Sequence, residues 1–95
     1  MNTETKQGIE FTRTTSDVYG NPRYIVHFTD FLTIDERNSY GLDNYSQLYS
    51  IACKRANNIG GRKYTGRNYG GGIVLQSYNI EQTSKNIQSL MASIL

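Results

Sequence analysis

Apolar residues in this chain recur with two different periods, and the switches between them constrain the fold most. Tyr24, Val26 and Phe28 recur every second residue, with Ile25, His27 and Thr29 between them. That is the pattern of a strand with two unlike faces. Tyr45, Leu48, Tyr49, Ala52, Ala56 and Ile59 recur in steps of three and four, the stripe of an amphipathic helix. Around Ile73-Val74-Leu75 the chain turns strand-like again. Ile80, Thr83, Ile87, Leu90, Met91 and Ile94 then mark a second helix. The weaker alternation of Ile9 to Thr15 supplies one more strand, joined to Arg23–Phe31 through the turn-rich Asp17-Val18-Tyr19-Gly20-Asn21-Pro22. The order ββαββα predicts an α+β fold, a roughly four-stranded antiparallel sheet with two main helices packed on one face. The other face is left to solvent or a partner.

Local signals set the boundaries. Thr33-Ile34-Asp35-Glu36 fits a capping box and starts a short helical turn at Ile34. Asp43 is the expected N-cap of the Tyr45 helix, and Gly60 its stop. Lys54 and Arg55, near its end, suit the helix dipole. Asn79 is the expected cap of the last helix, with Gln82 at the capping-box position. Met1 to Gln7 reads as a flexible tail, and residues 8–95 as one domain. Ninety-five residues bury about 60–65% of their unfolded surface, enough for one modest core.

Thirteen residues from Gly60 to Gly72 hold three cations, two tyrosines and six glycines. The strands Arg62–Tyr64 and Gly71–Tyr78 flank a turn at Thr65-Gly66-Arg67-Asn68. Between Asn44 and Ile80 there is no acid, and this window carries a charge of +5 against −3 for the remainder. Arg and Lys attract phosphates, and tyrosine faces stack on unpaired bases. The candidate partner-binding residues are therefore Lys54, Arg55, Arg62, Lys63, Tyr64, Arg67 and Tyr69. Arg and Tyr serve equally well against an acidic protein surface, and a solvated face of mixed sign is the bland alternative.

Other chemistry fits less well. Gly61 to Asn68 has the glycine spacing of a phosphate loop, but Arg67 and Asn68 stand where lysine and Ser/Thr are needed, and a strand follows instead of a helix. Cys53 has no second cysteine for a disulfide or a zinc site. His27 reads as a partly exposed strand residue. Asp30, Asp35 and Glu36 suggest a magnesium-dependent nuclease only distantly, since adjacent helical acids diverge. The expectation is no cofactor, no catalysis and no membrane span, and a single cysteine suits a reducing cytoplasm.

The segments Tyr19-Gly20-Asn21-Pro22-Arg23-Tyr24-Ile25-Val26-His27-Phe28, Gly60-Gly61-Arg62-Lys63-Tyr64 and Tyr69-Gly70-Gly71-Gly72-Ile73-Val74-Leu75-Gln76-Ser77-Tyr78-Asn79 resemble small proteins carried by bacteriophages and other mobile elements. The resemblance transfers no catalytic residues. It implies a binding protein in the cytoplasm of a bacterial host, directed at a nucleic acid or a nucleic-acid-bound host complex, with an anti-CRISPR-like, protein-only inhibitor as the alternative. Many such inhibitors mimic DNA with dense acid, which this chain lacks. An exposed sheet face or edge strand also leaves a homodimer open.

Overall fold

The computed structural model describes residues 3–14, 19–20, 22–64, 71–77 and 79–94. Its centre is a five-stranded antiparallel sheet built from β1 (Thr3–Lys6), β2 (Ile9–Arg13), β3 (Arg23–His27), β4 (Arg62–Lys63) and β5 (Gly72–Gln76), in the order β1-β2-β3-β5-β4. Three helices accompany it: the single-turn α1 (Ile34–Asn38), then α2 (Tyr45–Asn57) and α3 (Ile80–Ile94). The fold is α+β, as the periods predict, but with five strands where four were expected. The extra strand is β1, inside the stretch expected as a tail. It pairs with β2 through a two-residue turn at Gln7 and Gly8, both with positive φ (53° and 81°), the geometry of a tight hairpin. All four β1 side chains are exposed. Backbone pairing holds this strand, which explains why no apolar residue marks it.

The pleat sorts residues between two faces. Val26 lies opposite Ile73, and Tyr24 opposite Leu75. With Ile9 and Phe11 of β2 they form the helix-covered face. Leu48, Tyr49, Ala52 and Ala56 of α2 and Ile80 and Ile87 of α3 complete one core with them. The expected stripes supply these buried residues, but in α3 the stripe residue Ile94 is exposed and Ser84, outside the stripe, is fully buried. On the opposite face Thr12, Ile25, Val74 and Arg62 make one cross-strand row.

Boundaries shift for identifiable reasons. β3 stops at His27 because Phe28–Phe31 turn into a 3-10 helix, capped by His27 Nδ1, which accepts from the Thr29 amide (3.3 Å) and lies 2.8 Å from Thr29 Oγ1. The capping box is present: Thr33 Oγ1 accepts from the Glu36 amide, and Glu36 Oε1 accepts from the Thr33 amide at 2.7 Å. Asp43, expected as the cap of α2, instead sits in a 3-10 turn, Leu42–Asn44. Asn44 tightens the approach to that turn by accepting from the Gly41 amide (2.8 Å) and donating to Ser39 O (2.7 Å). Asn79 Oδ1 accepts from the Gln82 amide at the start of α3. The proposed turn at 65–68 lies outside the described residues.

Gly60 (φ +82°) ends α2, and Gly61 lies between that helix and the sheet. A Cβ on Gly61 would sit 2.8 Å from the Ala56 Cβ and 2.9 Å from Leu75 Cδ2. Neither neighbour has a long flexible end that can swing away. Gly61→Ala is therefore expected to lower stability by about 1–3 kcal/mol, the usual cost of overpacking. A urea titration reads this as a lower midpoint at unchanged slope; an unchanged midpoint would show that α2 and β5 are not packed this tightly.

Candidate nucleic-acid interface

Helix α2 hands the chain directly to the basic strand. The Gly61 amide donates to Ala56 O at 2.8 Å, and β4 follows at once, paired with β5 through Arg62 opposite Val74 and Lys63 opposite Ile73. Alternation turns Arg62 to the sheet face away from the helices, the face expected to be left to solvent, whose central Thr12 and Ile25 are nonetheless buried. Arg23 reaches the same face from β3, opposite Gln76 on β5, while the Thr14 amide donates to Arg23 O (3.0 Å). The result is an open groove of about 550 Å³ lined by Arg23, Arg62, Lys63 and Tyr64, with Thr14, Val74 and Gln76 among its neighbours. No acid lines it among the described residues, and neither Arg23 nor Arg62 carries an ion pair there.

Lys63 belongs to two surfaces. Its Nζ lies 5.1 Å from the centre of the Tyr49 ring, a cation–π distance. From there it also borders a second groove, of about 580 Å³, beside α2 with Lys54, Tyr45, Tyr49 and Cys53. Tyr49 is held firmly below. Its ring stacks on Phe28 (5.2 Å between centroids, 10° between planes), and its hydroxyl donates to Gly72 O at 2.5 Å. Burial pushes the Tyr49 hydroxyl up to about 12, with Cys53 and Tyr45 adding to the rise and the nearby Tyr64 amide opposing it. The phenol thus stays a neutral donor. Burial also raises the Cys53 thiol, against a smaller lowering by Lys63, the reverse of what a nucleophilic thiolate needs.

The expected binding residues divide. Arg62, Lys63 and Tyr64 meet at the first groove; Lys54 joins Lys63 at the second. Arg55 points elsewhere. Its guanidinium grips Glu36 at 2.6 and 3.0 Å and donates to Phe31 O at 2.8 Å, clamping α1 and the preceding turn onto α2. Arg67 and Tyr69 lie outside the described residues. Arg23 was not anticipated. Its signal was the β3 alternation itself, which places Arg23 with Ile25 and His27, opposite to Tyr24 and Val26.

Glu36 and Asp30 lie outside the lining of the first groove. Glu36 is occupied by Arg55, and that hydrogen bond, helped by Thr33, holds its carboxyl down at about 2 in spite of partial burial. Burial raises Asp30 to about 6, with Arg37 lowering it and Glu10 raising it further. No three His, Cys, Asp or Glu side chains come together as a metal cluster among the described residues. No helix among them is long and apolar enough to cross a membrane.

These two carboxyls give pH dependences of opposite sign. A lowered Glu36 stabilises the fold above its ordinary value of 4.5, and this is lost as pH falls from 4.5 towards 2. Glu36→Gln is expected to cost about 1–2 kcal/mol at pH 7, the pair being partly screened, and the gap to the parent should close on acidification through that window. A raised Asp30 does the reverse, since the folded state binds its proton more tightly between 3.8 and about 6. Asp30→Asn should be more stable than the parent at pH 7, with the difference fading as pH drops below about 6. Paired urea titrations across pH read both; parallel profiles would contradict these assignments.

Residues 1–94 match the family described as Staphylococcus phage terminal repeat-encoded protein TreK. No curated protein and no solved structure matches the chain.

Proposed function

We propose that this chain, which belongs to the TreK family of Staphylococcus phage proteins, is a binding protein that engages nucleic acid, free or held in a host nucleic-acid-processing complex. Its role is contact and not catalysis, exercised in the cytoplasm of the bacterial host. One observation carries the reading: Arg23 and Arg62 converge with Tyr64 on one open groove that no described acid lines, bordered by Lys63, whose ammonium rests over Tyr49. Two arginines on the sheet attract a phosphate backbone by charge, and an adjacent tyrosine offers a platform for an unpaired base. Cys53, with its raised thiol, and Glu36, held by Arg55, favour this reading over a catalytic one.

Labelled single- and double-stranded oligonucleotides titrated at two salt concentrations test it. Binding is expected to weaken as salt rises. The double variant Arg23→Ala/Arg62→Ala should bind more weakly and reduce the salt slope by about 1.4–1.8, the share of two phosphate contacts. Absence of binding at low salt would remove the nucleic-acid reading. A partner captured from host lysate equally well after nuclease treatment, and lost in the same double variant, would then assign the groove to an acidic protein surface.

A further inference from the structure

The outer edge of β1 is the longest stretch of strand backbone that no described element pairs with. Which of its groups face outward follows from one bond. The Thr14 amide donates to Arg23 O, so Thr14 is turned towards β3. Two residues earlier, Thr12 is turned the same way. Its pairing with Thr3 is then of the non-hydrogen-bonded kind, in which side chains approach closely. The 3.2 Å between Thr3 Oγ1 and Thr12 Oγ1 agrees. Thr3 and, by alternation, Thr5 therefore turn their N–H and C=O groups away from β2, to the open edge.

We propose that a second copy of this chain pairs on that edge, antiparallel about a twofold axis through Thr5. In this register the two Thr5 residues exchange both backbone hydrogen bonds. Glu4 of each copy lies opposite Lys6 of the other, at the non-hydrogen-bonded positions where cross-strand side chains come nearest. Charge selects this register over its neighbours. A twofold at Glu4 sets Glu against Glu, and one at Lys6 sets Lys against Lys, both unfavourable. The segment Thr3-Glu4-Thr5-Lys6 is complementary to itself only when centred on Thr5. Lysines on an edge strand usually discourage pairing; here an acid two residues away reverses that effect. The contact joins two sheets into one of ten strands. A four-residue strand pair buries less than the ~1,200 Å² of stable complexes, so the dimer is weak and concentration-dependent. The β4 edges, at the opposite end of each sheet, stay outermost. This inference does not depend on what the basic groove binds.

Sedimentation equilibrium of the full chain at low salt and rising concentration tests it. A monomer–dimer equilibrium is expected for the parent. Thr5→Pro removes an outward N–H that no bond among the described residues uses, so it should leave the circular dichroism spectrum intact and shift the protein to monomer. Glu4→Lys should weaken association at least tenfold, and adding Lys6→Glu to it should restore dimerisation by exchanging the charges. Should Thr5→Pro fail to fold, the charge series alone decides. A parent that sediments as monomer throughout, a dimer indifferent to these changes, or a double variant that fails to recover would overturn the proposal.

Discussion

The Tyr49 hydroxyl reaches from α2 to the Gly72 carbonyl, and much of the structure is placed by that bond and by the ring that carries it. The Phe28 ring stacks beneath Tyr49, and the Phe28 amide donates to Gly71 O. Gly72 O also accepts from the Tyr64 amide. One carbonyl therefore ties the helix, the start of β5 and the end of β4 together. Gly71 can only be glycine here: its φ is +73°, and a Cβ would sit 2.8 Å from the Phe28 ring. Lys63 closes the stack from above by resting on the Tyr49 face. The basic strand is in this way fixed to the core by an aromatic column and not by its own two residues of pairing.

That arrangement explains what was legible in the sequence. The stripes of α2 and α3, the alternation of β3 and the capping box at Thr33 and Glu36 follow from side chains that must be buried or must cap a helix. The patterns are periodic, so the sequence displays them. β1 has no buried side chain and left only Thr3 and Thr5 with Gly8 as hints. Arg55 read as one more cation in a basic window, because its partner Glu36 lies nineteen residues away across a packing contact. Arg23 was overlooked for the opposite reason: it sits far in sequence from the Gly60–Gly72 cluster and joins Arg62 only through the β3–β5–β4 pairing.

The charges are arranged along the sheet and not merely along the chain. Arg23 and Arg62 stand with Thr14 and Gln76 at one end of the sheet face away from the helices. Glu10, on β2, lies towards the other end and raises Asp30 there. A field of this shape orients an approaching anion before any contact forms. Between the two ends, Ile25 is only 1% exposed yet is not part of the core beneath the helices.

The central β3–β5 pairing joins residues about fifty positions apart, such as Tyr24 and Leu75. Loop closure over that distance must be completed before the pairing returns any stabilisation. The β1–β2–β3 meander needs only local contacts and is available much earlier in synthesis. The groove, however, takes Arg23 from β3 and Arg62 from β4, and β4 has no described strand neighbour except β5. A chain still emerging from the ribosome can thus hold three strands of its sheet without yet possessing its basic face. That surface comes into being as a late product of folding, once residues beyond Gln76 have released β5 to dock.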